Sequence, residues 1–229
     1  MPGRGHPGIR GVLFDLDGTL VDSAPDLTNA LNRLRAEQAL PPLPLAQLRP
    51  LASTGVRGLI CAGFGLSPED EPYAAHAERF LELYADGLCE LTRPFPGVEA
   101  LLEALETGRI PWGIVSNKPE RFMQPLLEAL GWGSRMACVV GGDTVRVSKP
   151  SPLPVLHAIQ IGEMQSVPAA ETLYLGDDER DIVAGRDAGV KTAVAGWGYL
   201  AKTANPASWG ADWLFSEPLA VEQFLGLRP

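Results

Sequence analysis

The chain has 229 residues, 45% of them apolar, enough to bury a substantial core as one large domain or two small ones. Its 28 acidic against 19 basic residues give a formal charge of -9, the wrong sign for neutralising nucleic-acid phosphates, so no nucleic-acid partner is expected. No apolar run approaches the roughly 20 residues of a bilayer-crossing helix, which argues against an integral membrane protein. Cys61, Cys89 and Cys138 lack the paired spacing of a zinc site or disulfide framework, as suits a reducing cytoplasm.

The first ten residues, rich in Pro and Gly, lack the apolar stretch of a secretory signal and read as a loose tail. Short apolar runs follow at 12–14, 114–115, 139–140, 173–175 and 193–194, each ending in Gly, Asp or Ser. Apolar on successive residues, they predict strands buried on both faces. Helical patterns at 98–105, 122–130 and 155–161 lie between them, so the expected fold class is α/β, a three-layer αβα Rossmann-like parallel sheet. The alternation fails from 23 to 94, which predicts a helical insertion between core segments 1–22 and 95–229. Ser23, with Pro25 in the first turn, marks one helix start there, and Ser67, followed by Pro68, Glu69 and Asp70, marks another feeding a pattern that runs to Leu91.

Ligands of such sheets bind beyond the carboxyl ends of the strands, and four motifs stand there. The first strand runs into Asp15-Leu16-Asp17-Gly18-Thr19, two carboxylates two residues apart before a glycine turn. Asp15 could attack phosphorus while Asp17 protonates the leaving oxygen and later activates water; the bland alternative is an Asx-type turn. Ser116-Asn117-Lys118-Pro119 follows the second buried run, where a hydroxyl and backbone N–H groups can hold a phosphate oxygen or simply cap a helix. Lys149, before Pro150, could balance phosphate and nucleophile charge, or be a solvated surface lysine. Gly176-Asp177-Asp178-Glu179-Arg180-Asp181 crowds carboxylates at one strand end; a bound cation would relieve their repulsion, and oxygen ligands beside a phosphate suit Mg²⁺ better than zinc. The alternative is an acidic helix N-terminus. Together the four supply what phosphoryl transfer needs: nucleophile, acid, metal ligands and positive charge around the transferred oxygens.

In these motifs the sequence resembles the haloacid dehalogenase superfamily of phosphatases, over nearly the whole chain. The resemblance implies a small-molecule phosphate monoester as substrate, Mg²⁺ as cofactor and a monomer or homodimer. It implies Asp15 as nucleophile, Asp17 as acid/base, Ser116 and Lys149 as phosphate holders, and backbone contacts from Leu16, Gly18 and Asn117. Asp15, the Asp17 carbonyl and Asp177 would hold the metal, with Asp181 orienting water in its outer shell, and the insertion would be the family's helical cap. Within the superfamily, 19–23, 116–119 and 149–150 look most like phosphoglycolate phosphatases, whereas 176–182, 185–189 and 209–212 also resemble N-acetylmuramic acid 6-phosphate phosphatases. The expected substrate loop of the cap is Ser53-Thr54-Gly55-Val56-Arg57-Gly58, where Thr54 and Gly55 approach the substrate and Arg57 pairs with a carboxylate or forms a rim salt bridge.

Asp17 argues against a dehalogenase, which needs no acid two residues on; a sugar-phosphate phosphomutase and a non-catalytic metabolite sensor are the other readings. His6, His76 and His157 neighbour no motif and receive no role. Trp197-Gly198-Tyr199 follows the strand near 194 and reads either as a lining of the site's mouth or as aromatic packing.

Overall fold

The computed structural model describes residues 8–201 and 203–228; the expected loose tail falls largely on residues 1–7, which with His6 lie outside them. In chain order, β1 (Gly11–Phe14) and a short β2 (Val21–Asp22) lead into helices α1 (Ala24–Glu37), α2 (Leu45–Leu48), α3 (Gly55–Phe64) and α4 (Tyr73–Asp86), and a short β3 (Arg93–Pro94) leads out. Strands and helices then alternate through α5 (Val98–Thr107), β4 (Trp112–Val115), α6 (Glu120–Ala129), β5 (Cys138–Val140), α7 (Leu153–Ala158), β6 (Thr172–Gly176), α8 (Glu179–Asp187) and β7 (Lys191–Ala195). The chain closes with β8 (Trp213–Phe215) and α9 (Pro218–Phe224).

The main sheet has the order β5-β4-β1-β6-β7-β8, all strands parallel. β1 is central, with Phe14 opposite both Ile114 and Leu175, so the residues that follow β1, β4 and β6 emerge side by side at one edge. Alternation along β1 divides the layers. Val12 and Phe14 join Leu101 and Leu105 of α5, Met123 and Leu126 of α6 and Val221 of α9, whereas Leu13 joins Val155 of α7 and Ala184 of α8. Helices thus cover both faces, which is why the strands are apolar throughout rather than every second residue.

Helices α1 to α4 have their own core. Leu27, Leu31 and Leu34 recur on one stripe of α1, Phe80, Leu83 and Tyr84 on one stripe of α4, and Leu59 and Ile60 of α3 fill between them. Phe122 of α6 and Tyr199 complete this cluster from the sheet side. The chain enters and leaves the insertion through the antiparallel β2–β3 pair, with Val21 opposite Pro94 and Asp22 opposite Arg93. Buried Asp26 accepts from the backbone N–H groups of Leu91 and Thr92 at 2.8 and 2.9 Å and from Thr92 Oγ1 at 2.6 Å, tying α1 to the returning segment.

Several sequence expectations need correction. Ser23 precedes α1, with Pro25 in the first turn, but makes no cap bond; its hydroxyl donates to Asp17 instead. Ser67 and Asp70 close a turn upon each other, so α4 starts only at Tyr73, and it stops at Asp86, short of Leu91. α7 ends at Ala158 rather than near 161, and a 3₁₀ turn follows at Gly162–Ser166. β8, an edge strand of three apolar residues with Leu214 exposed, is not among the strands expected from the sequence. Among the described residues no helix is long and apolar enough to cross a membrane.

Candidate active site

β1 ends at Phe14, and the Asp15 N–H donates to the Leu175 carbonyl at 2.8 Å, so the ladder delivers this carboxylate to the sheet edge beside β6. The chain then turns back sharply: Gly18 adopts φ +90°, and a Cβ there would stand 2.2 Å from Asp177 Oδ2. Only glycine fits, both for the backbone angle and for the close approach. The Gly18 N–H donates to the Val21 carbonyl at 2.9 Å, so closing the turn occupies the backbone donor that was expected to meet a phosphate. Asp177 is held on both oxygens, by Thr19 Oγ1 at 3.3 Å and by the Tyr199 N–H at 2.7 Å, while Trp197 Nε1 donates to the Thr19 carbonyl at 2.9 Å. Trp197-Gly198-Tyr199 therefore builds the site as well as packing beside it.

Lys149 lies at the centre. Its buried ammonium, with three N–H groups to donate, has four oxygens in reach: Asp181 Oδ1 at 2.6 Å, Asp15 Oδ1 at 2.8 Å, and the Val115 carbonyl and Tyr174 hydroxyl at 2.9 Å each. Burial works to lower its pKa, but Asp15 and Asp181 outweigh it and hold the group above the usual lysine value. Asn117 spends both side-chain atoms on the Lys149 backbone, donating to its carbonyl at 3.0 Å and accepting from its N–H at 2.9 Å. This side chain therefore fixes the lysine loop. Ser116 is buried, and its Oγ accepts from the Lys118 N–H at 3.2 Å.

Asp15, Asp177 and Asp181 each offer a carboxylate oxygen within 4.8 Å of the others. Against these three stands one ammonium, Lys149, so full ionisation would leave two negative charges uncompensated in a buried place. Burial raises the Asp15 pKa from 3.8 to about 6, with Lys149 pulling it back and Asp181 pushing it up; burial, then Asp15 and Asp181, hold Asp177 well above the ordinary range. An all-oxygen set with this surplus fits a hard divalent cation such as Mg²⁺. Ionising Asp15 weakens the metal-free fold as pH rises from about 4 through 6, and a bound cation removes that cost. Mg²⁺ at a hundredfold excess over Kd should therefore stabilise the protein by about 2.7 kcal/mol at pH 7.5. The gain should shrink at pH 5, where protons compete; melting curves with and without Mg²⁺ at both pH values check this.

The remaining acids carry their own partners. Asp17 faces Lys118, whose Nζ is 3.2 Å from each of its oxygens. Asp178 caps α8 and pairs with Arg180, which also donates to the Ser53 carbonyl of the insertion at 2.6 Å. The acidic run is thus helix cap and charge cluster at once, with Asp178 serving the first reading and Asp177 and Asp181 the second; Asp181 also accepts from the Asp178 N–H at 3.1 Å.

Between sheet edge and insertion lies a cavity of about 320 Å³. Asp15, Asp17, Ser116 and Lys149 line its floor, and Ser53, Thr54, Gly55, Val56, Phe80 and Leu81 line the insertion side. Gly55, at φ 63° and ψ -155°, adopts a conformation essentially reserved for glycine. Arg57 is exposed and is not among the residues that line this cavity: α3 begins at Gly55, and each further residue rotates by about 100°. Lys118, Tyr84 and Arg180, none of them singled out by sequence reasoning, do line it.

A parallel α/β sheet that gathers three carboxylates and a lysine at its carboxyl edge, beneath a helical insertion, has the architecture of an enzyme with an acidic active site. Residues 12–195 match the model of the haloacid dehalogenase-like hydrolases. The chain is 42% identical over 214 residues to an N-acetylmuramic acid 6-phosphate phosphatase of Pseudomonas aeruginosa, covering 92% of each, and 44% identical over 209 residues to a phosphoglycolate phosphatase of Xanthomonas campestris, covering 91% of this chain and 93% of the other. A crystal structure of a predicted phosphoglycolate phosphatase from Haemophilus somnus superposes with a TM-score of 0.81 at 26% identity, covering 95% of this chain and 97% of that one. The protein belongs to the haloacid dehalogenase-like hydrolase family, and within it stands among the phosphatases.

Proposed function

We propose that the protein is a Mg²⁺-dependent phosphomonoester hydrolase working through an aspartyl-phosphate on Asp15. The observation that carries this reading is the buried Asp15–Asp177–Asp181 cluster with Lys149 in its midst, facing a cavity that also presents Asp17 and Ser116. Asp15, Asp177 and the Asp17 carbonyl would hold Mg²⁺, with Asp181 in its outer shell; when bound, the ion screens the negative charge of the phosphoryl group. Asp15 attacks phosphorus, the bond to the leaving oxygen breaks, and Asp17 gives that oxygen its proton. Asp17 then takes a proton from water as this attacks the phosphorus of the acyl phosphate, releasing inorganic phosphate and restoring the Asp15 carboxylate. Lys149, the Ser116 hydroxyl and the backbone N–H groups of Leu16 and Asn117 hold the phosphoryl oxygens. Residues 23–94 form the cap that closes over substrate and excludes water. Three free cysteines support a cytoplasmic location.

For the substrate, the insertion side of the cavity favours a larger leaving group than glycolate. Leu27, Ala52, Val56, Phe80 and Leu81, joined by Phe122 of α6, give the cavity an apolar wall, Arg57 lies outside, and Lys118 and Arg180 are already paired with Asp17 and Asp178. N-acetylmuramic acid 6-phosphate also carries a carboxylate, but its sugar ring and acetyl group offer such a wall more surface than glycolate does. Phosphate release in Mg²⁺, with an EDTA control, should show a kcat/KM for this sugar phosphate at least about 10-fold above that for phosphoglycolate. The reverse ranking would restore the glycolate reading, a sugar bisphosphate formed without net phosphate release would mark a phosphomutase, and no release from either ester would refute the phosphatase.

A further inference from the structure

If Asp17 delivers a proton and later takes one, its carboxyl group must be held in line with the leaving oxygen. The geometry points to Lys118 and Tyr84 as the positioning residues that do this, an inference that rests on the phosphatase reading. Lys118 Nζ lies 3.2 Å from both Asp17 oxygens, so the ammonium sits astride the carboxyl group and fixes its plane, while Ser23 Oγ donates to Oδ1. The same ammonium donates to the Tyr84 hydroxyl at 2.7 Å and stands 4.6 Å from the centre of its ring. Asp17 and Lys118 belong to the sheet edge; Tyr84 belongs to α4 of the insertion. The acid is therefore held, through Lys118, by the helical insertion, and the position of the insertion is passed on to the group that protonates the leaving oxygen. The Lys118 side chain is 6% exposed and Tyr84 only 2%, so bulk water does not take their place. Lys118 does not duplicate Lys149, which holds Asp15 and Asp181.

The test compares kcat/KM for the preferred alkyl phosphate of the profile above with that for p-nitrophenyl phosphate. An alkoxide leaves only with a proton, whereas p-nitrophenolate leaves without one, and kcat/KM runs no further than departure of the leaving group, before Asp17 acts as base. Lys118→Met should lower the alkyl value by about 10²-fold and the aryl value at least about tenfold less. Tyr84→Phe should shift the ratio of the two in the same direction by roughly threefold to tenfold, and Lys118→Arg, which keeps the cation, should recover part of the loss. Equal losses on both esters, or no loss on either, would overturn the inference, since a merely structural role leaves the ratio unmoved. Should Lys118→Met fail to fold, Tyr84→Phe removes one hydroxyl and carries the same comparison. A wild-type protein that released phosphate from neither ester would instead refute the phosphatase reading itself, a result distinct from an unmoved ratio.

Discussion

Asp15→Asn should abolish phosphate release, with a fall in kcat of at least about 10³-fold, while leaving the fold intact. The amide is isosteric but offers no anionic oxygen to phosphorus, so no acyl phosphate can form. Its stability effect has a sign that a merely structural residue would not show. Burial and the neighbouring Asp181 hold the Asp15 carboxyl up at about 6 despite Lys149, so at neutral pH the ionised form is a cost to the metal-free fold. A neutral side chain removes that cost, and Lys149 keeps Asp181, Tyr174 and the Val115 carbonyl as partners. The metal-free variant should therefore melt no lower than wild type at pH 7.5 and should gain less from Mg²⁺. Substantial turnover in a clean preparation, tested by phosphate release and by capture of the phosphorylated intermediate, would refute the mechanism.

Lys149→Met should be the most damaging single change to stability among these site residues. The methionine fills much the same space but leaves Asp15 and Asp181 buried without their cation, and breaking such a pair costs roughly 3–5 kcal/mol. For a chain of this size the melting temperature should fall by on the order of 10 °C. Asp15 and Asp181 hold the lysine above its usual value against the pull of burial, so this contribution is fully present at neutral pH and is lost only as pH rises through the elevated value. Turnover should drop by at least about 10²-fold, since the cation beside the proposed nucleophile is gone. Three carboxylates without a counter-charge should also make the variant lean on Mg²⁺ more than wild type does. Thermal melts across a Mg²⁺ series test this; an unchanged melting point would show that the carboxylates do not share a buried charge cluster.

Much of this architecture was legible because it rests on local signals. Strands buried on both faces must be apolar at every position, so 12–14 and 173–175 stood out, and motifs that follow such strands fall on one sheet edge by topology alone. What escaped depends on distance in the sequence. Nothing near Lys118 shows that Asp17, 101 residues earlier, is its partner, nor does anything near Tyr84 point to Lys118. A loop's hydrogen bonds are settled by its turn and its neighbours, which gave the Gly18 N–H to Val21 and the Asn117 side chain to the Lys149 backbone. Arg57 is the opposite case. It is close in sequence to Thr54 and Gly55, which line the cavity, and the rotation of α3 carries it to solvent.

The hydrophobic interior of α1 to α4 is finished by two side chains from outside those helices, Phe122 on α6 and Tyr199 after β7. Exchanging this helical unit with that of a relative is therefore not a matter of cutting at its two connections. A graft that ignores positions 122 and 199 inherits a mismatched plug at the seam, so a chimaera meant to change substrate preference must transplant those two residues along with the helices.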